Sequence, residues 1–118
     1  MFREEASGAD QGMVKIDNKV IASIAAIAAS EIEGVKRVCT EPKDGFFFPV
    51  GRYLKARIKV ESYKNECVRI SIPLVVRYNF SIPEIAGKVQ ENVRNALEKM
   101  TEINIKDIEI NVMAIEKD

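Results

Sequence analysis

Histidine is absent from the 118 residues. That removes the commonest general base at neutral pH, the usual partner of a catalytic nucleophile and the most versatile metal ligand. Cysteine is scarce: Cys39 and Cys67 lie far apart and form no CxxC pair, which excludes a zinc ribbon and a thioredoxin-like motif. With no histidine to activate it, Cys39 reads as a structural thiol, and both cysteines read as reduced thiols of a cytosolic protein. Net charge is zero, 18 basic against 18 acidic residues, so no overall field draws the chain to nucleic acid or anionic lipid. Long apolar runs are missing too. The longest, Val20 to Ala29, contains Ser23 and has about half of the roughly 20 residues a bilayer-spanning helix requires. Met1 to Gly12 lacks the apolar stretch of a secretory signal. Gly45 and Gly51 fit neither phosphate-binding signature.

What is present is the composition of a soluble globular domain, 47% hydrophobic and 31% charged. One domain is expected over residues 13–118, behind a flexible segment at 1–12. From Asp17 to Glu33, Val20, Ile21, Ile24, Ile27, Ala28 and Ile32 recur at helical spacing, with Asp17 as N-cap and Gly34 as stop. Val35 to Cys39 reads as a short strand, and Thr40 to Arg52 as a loop broken by Pro42, Gly45, Pro49 and Gly51.

Two strands follow with period-two alternation. Leu54, Ala56, Ile58 and Val60 share one face, as do Val68, Ile70, Ile72, Leu74 and Val76, and a turn near Asn65 predicts an antiparallel hairpin. Pro73 cannot donate to a ladder, so an edge or a bulge is expected there. Ser81 and Glu84 form a capping box with Pro83 in the first turn, opening a helix to about Met100. Its stripe is Ile85, Val89, Val93, Ala96, Leu97 and Met100. A last strand turns Ile108, Ile110, Val112 and Ala114 inward and Asp107, Glu109, Asn111 and Met113 outward. The order α-β-β-β-α-β predicts an α+β two-layer sandwich: a four-stranded mixed sheet with both helices on one face.

The segment Glu31-Ile32-Glu33-Gly34-Val35, the strand ending in Val76-Arg77-Tyr78, and the run Val89-Gln90-Glu91-Asn92-Val93 through Met100-Thr101 to Ile108-Glu109-Ile110-Asn111-Val112 form an ordered series. Together they resemble the alkaline shock protein family, envelope stress response proteins of Gram-positive bacteria, over roughly Met13 to Ile115. The resemblance implies a non-enzymatic cytoplasmic protein without cofactor, metal or catalytic residues. It also implies self-assembly and attachment to the inner face of the membrane through a membrane-embedded protein partner. Two positions depart from the family's pattern: Asn79 and Glu102-Ile103 stand where relatives usually carry glycine and Gly-Leu. Asn79 tolerates the positive φ of a turn, whereas Glu102 suits it less well.

Outward parity puts Lys55, Arg57 and Lys59 beside Arg69 and Arg77, with Asp107 and Glu109 on the last strand. This face is either merely solvated or a charge-divided surface for partners or other copies. Phe46, Phe47 and Phe48 cannot all enter one core; they either lid the sandwich or offer an apolar contact. Asp107 with Glu109 is too thin a pair for acid–base or metal chemistry. A small RNA-binding module using the basic sheet face is the alternative reading, weakened by the shortage of exposed aromatics on the strands.

Overall fold

The computed structural model describes residues 15–39, 57–63 and 67–117. Its elements are α1 (Asn18–Ser30), β1 (Val35–Val38), β2 (Lys59–Tyr63), β3 (Cys67–Arg77), α2 (Ile82–Thr101) and β4 (Asn104–Glu116), in the expected α-β-β-β-α-β order. The predicted loop after β1, with Phe46, Phe47 and Phe48, lies outside the described residues, as do Lys55 and the turn at Asn65.

The sheet is mixed. β3 is central and pairs antiparallel with β1 and β2 on one side and parallel with β4 on the other. β1 and β2 share a single edge of β3: β2 takes Cys67–Ser71 and β1 takes Leu74–Val76. Pro73 falls between the two. Its carbonyl accepts from Cys39 N at 2.9 Å, so its ring nitrogen faces the same gap, where no ladder donor is required. The strand carrying Pro73 is therefore central rather than an edge, and the proline is tolerated because two short strands meet there end to end.

Both helices cover one face. Ile21, Ala25, Ala28 and Ala29 of α1 and Ile85, Val89, Val93 and Leu97 of α2 enclose Val68, Ile70, Ile72, Leu74 and Val76 of β3. Within this core the side chains of Ile70, Ile72 and Leu74 are fully buried, each contributing roughly 1.5–3 kcal/mol of apolar burial. The amphipathic phase of α1 differs from expectation: Val20 (48% exposed) and Ile27 (63%) face outward. So does Met100 of α2, at 67%. In α1 nearly every residue is small or apolar, so periodicity leaves the phase open and contact with α2 sets it.

Local signals fix the helix ends. Asp17 Oδ1 accepts from Lys19 N at 2.8 Å, and Ser81 Oγ from Glu84 N at 3.4 Å. α1 stops at Ser30, and Glu31–Gly34 turns the chain into β1 with Gly34 at φ +102°. A Cβ on Gly34 would lie 2.7 Å from Ile85 Cδ1 and 2.9 Å from Phe80 Cδ1. Asn79 (φ 77°) and Glu102 (φ 59°) both occupy the left-handed region, so the two departures keep the backbone that glycine would favour. β4 begins earlier than expected, and a register shift after Leu74/Val112 turns Ala114 outward, opposite Val75.

Candidate interaction surface on the open sheet face

The face turned away from the helices has two halves. Near the end of β3, Val75 and Cys39 are buried despite their outward parity, so that half is not open to solvent. The other half is exposed and built in three rungs across β2, β3 and β4: Tyr63, Cys67, Asn104; then Glu61, Arg69, Asp107; then Lys59, Ser71, Glu109.

Arg69 sits at the centre. Its guanidinium lies 4.0 Å from Asp107 Oδ2 and 3.9 Å from Glu109 Oε1, and Glu61 is its cross-strand neighbour on β2. Ser71 Oγ donates to Glu109 Oε1 at 2.8 Å, and the Tyr63 hydroxyl donates to Glu61 at 3.4 Å. Lys106 Nζ stands 4.7 Å from the Tyr63 ring centroid, within cation–π range. Along the middle rung the signs run Glu61, Arg69, Asp107, and the only charges that β4 contributes to the three rungs are the carboxylates of Asp107 and Glu109. The exposed ion pairs are worth at most about 1 kcal/mol each, so the network organises a surface more than it stabilises a fold.

The sequence-predicted residues scatter. Lys59 and Arg69 share the exposed half, with Arg57 exposed just before β2. Arg77 pairs in register with Glu116, eight residues or about 26 Å along β3 from Arg69. Glu61 and Tyr63 were missed, although extending the same parity two residues past Lys59 finds both.

At the far end, Arg37 holds Glu116 through two bonds of 3.1 Å, and Lys36 Nζ approaches the same carboxylate at 3.4 Å. The Arg37 hydrogen bond holds the Glu116 carboxyl below the usual carboxylate range, against a smaller opposing effect of burial. Burial pushes the neighbouring Cys39 thiol up. No group of three or more Cys, Asp or Glu side chains able to hold a metal occurs among the described residues.

The helices add polar contacts with the strands. Gln90 Nε2 donates to Ile108 O at 2.9 Å and Arg94 to Ile105 O at 3.0 Å. Asn92 Nδ2 donates to Ala28 O at 2.7 Å and to Glu31 at 3.1 Å, closing the end of α1. Residues 6–117 match the sequence model of the alkaline shock protein 23 family, described by a cell envelope-related function.

The chain belongs to the alkaline shock protein family.

A relative in Bacillus subtilis (strain 168), the uncharacterized protein YqhY, is 35% identical over 108 residues, 91% of this chain and 79% of that protein. Among solved structures, one variant of the MamM CTD and the copper form of another variant each superpose with a TM-score of 0.51. Both are 14% identical and cover 85% of this chain and all of theirs. That likeness shows the fold alone. In this alkaline shock protein the run Val89–Val93 contains the side chains that bind helix to strand and helix to helix, Gln90 and Asn92. No helix among the described residues is long and apolar enough to cross a membrane.

Proposed function

We propose that the protein is a non-enzymatic module of the envelope stress response that assembles with itself in the cytoplasm and is held at the inner membrane face by a membrane-anchored protein. Its family's cell envelope-related function supplies the setting. The observation that carries the reading is the exposed three-rung half of the sheet, where the cations Lys59 and Arg69 lie among the carboxylates Glu61, Asp107 and Glu109 on a strand scaffold. Such a pattern suits a protein surface of complementary charge, since both signs are held in fixed places by the strands. Lys55, Arg57, Lys59, Arg69 and Arg77 are the polar contact candidates, with Phe46, Phe47 and Phe48 as the apolar ones.

RNA binding through the same face is supported by Tyr63, an exposed strand aromatic with Lys106 over its ring. It is opposed by three carboxylates around Arg69, which repel phosphates. Affinity purification of the tagged protein from native membranes decides between them. The wild type should carry a membrane protein with it, and the double variant Arg57→Glu, Lys59→Glu should lose most of that capture while remaining folded. Undiminished capture by the variant refutes the contact surface. Salt-sensitive RNA binding without membrane-protein capture favours the RNA module.

A further inference from the structure

α1 lacks a solvated side. Of its 13 residues Lys19 alone is charged, and Lys19 lies in the first turn. Beyond it the outward positions are Val20 (48% exposed), Ser23, Ile27 (63%) and Ser30, whose hydroxyl donates back to Ala26 O at 2.9 Å. On α2, by contrast, Glu84, Lys88, Glu91, Glu98 and Lys99 are all exposed. A helix that is apolar around most of its circumference belongs under a cover. Val20, Ile24 and Ile27 stand at i, i+4 and i+7, one stripe along two turns, and the core buries Ile24 only in part.

The charges at the two ends of that stripe specify its occupant. At its start lie Lys15, Lys19 and Asp17, whose carboxylate is engaged with Lys19 N, together with the positive end of the helix dipole. At its finish lie Glu31 and Glu33, both exposed, and the negative end of the dipole. The next cation, Lys36, is held by Glu116 at 3.4 Å. α2 leaves this polarity unchanged. It runs antiparallel to α1, as the nearness of Asn92 to Ala28 and of Ile85 to Gly34 requires. Lys88 and Glu91 therefore lie towards the acidic finish of α1, and Lys99 and Glu98, the latter 3.8 Å from Arg94, towards its start. Each end thus gains one charge of each sign, and Glu84 and Glu102 add one acid beyond each.

An antiparallel pairing of two copies sets the start of each α1 against the acidic finish of the other, twice. Parallel pairing sets Glu31 and Glu33 against their own kind. The apolar stripe has the same symmetry: about a two-fold axis between Ser23 and Ile24, Val20 of each copy meets Ile27 of the other, and the small Ser23 lets the helices approach. We infer that α1 packs antiparallel on α1 of a second copy through Val20, Ile24 and Ile27. This rests on the self-assembly named in the proposed function and gives it a surface apart from the open sheet face.

Sedimentation equilibrium of the purified full chain tests it, with Val20→Lys and Ile27→Glu, each alone and then mixed in equal amounts. Both positions are exposed and both substitutions raise helix propensity, so the monomer's melting temperature should hold or rise. The wild type should be dimeric, and each variant alone should raise the dissociation constant at least about tenfold. The mixture should recover most of the dimer, because a heterodimer sets the introduced lysine against the introduced glutamate and keeps one native contact of Val20 with Ile27. Parallel pairing offers no such recovery, so a mixture no better than its parts overturns the antiparallel arrangement. Equal dimerisation of the wild type and both variants overturns the α1 assignment and leaves self-assembly to another surface. Variants that melt well below the wild type mean that the chain's own residues cover α1, and overturn the second copy as its occupant. A monomeric wild type overturns both the pairing and self-assembly, while capture from membranes still reports on the partner independently. A monomer whose two variants lose that capture replaces the second copy with the partner.

Discussion

Replacing Glu102 with glycine should stabilise the protein. Glu102 ends α2 at φ 59° and ψ 22°, a left-handed conformation that costs a residue with a Cβ roughly 1–2 kcal/mol. Its side chain is exposed, and among the described residues it makes no hydrogen bond or ion pair. It also puts a negative charge at the negative end of the helix dipole, an exposed penalty of about 0.3 kcal/mol or slightly more. Against these gains, glycine adds unfolded-chain freedom worth about 0.4–1 kcal/mol. The net is about 1 kcal/mol of stabilisation, or a rise in melting temperature of about 4 °C for a domain of this size. Glu102→Ala separates the contributions, since it removes the charge and keeps the Cβ; it should recover only the dipole share. Urea denaturation of the three proteins provides the assay, with the m-value as a check that the unfolded state is unchanged. If the glycine variant is no more stable than the alanine variant, the left-handed backbone stores no strain and the argument fails.

Gly34→Ala should lower stability by about 2–3 kcal/mol, because the new methyl group meets Ile85 Cδ1 at 2.7 Å in an already left-handed backbone; an unshifted urea midpoint would refute it. Glu116 titrates lower in the folded chain than in the unfolded one, chiefly through its hydrogen bond from Arg37, so its contribution is present above the unfolded value near pH 4.5 and fades as pH falls through the depressed folded value. Glu116→Gln should therefore cost about 1 kcal/mol at neutral pH, and its gap from the wild type should close below about pH 4.5; a gap independent of pH contradicts the assignment. Cys67 should react with a thiol reagent well before Cys39, since Cys39 is 5% exposed with its thiol pushed up by burial, and mass spectrometry of partially labelled protein gives the order. Asn92→Ala should leave the C-terminal carbonyl of Ala28 without its side-chain donor and cost about 1 kcal/mol, with hydrogen exchange quickening at the end of α1.

The elements were legible wherever a local rule suffices. Ser81 with Glu84 starts α2 within one residue, Asp17 caps α1, and alternation along β3 names its buried face without reference to any other segment. Legibility failed where several answers were locally equal. The stretch Asn18–Ser30 is almost uniformly small and apolar, so the inward choice of Ala25 and Ala29 over Val20 and Ile27 was made by α2 and the sheet. Of the site, Lys59 and Arg69 were read correctly onto one face, but the carboxylates that partner Arg69 come from β4, and only the β3–β4 register brings them within 4.0 Å.

Sequence by itself determined the family, the order of elements and the parity of β3, because caps, glycine stops and alternation act over a few residues. Tertiary structure alone decided that Pro73 lies at the meeting point of β1 and β2, that half of the outward face is buried, and that Gln90 and Arg94 of α2 bond the carbonyls of Ile108 and Ile105 on β4. Each of those depends on which strand lies beside which and at what register. That choice is settled by burying the whole core at once, and no single segment carries it.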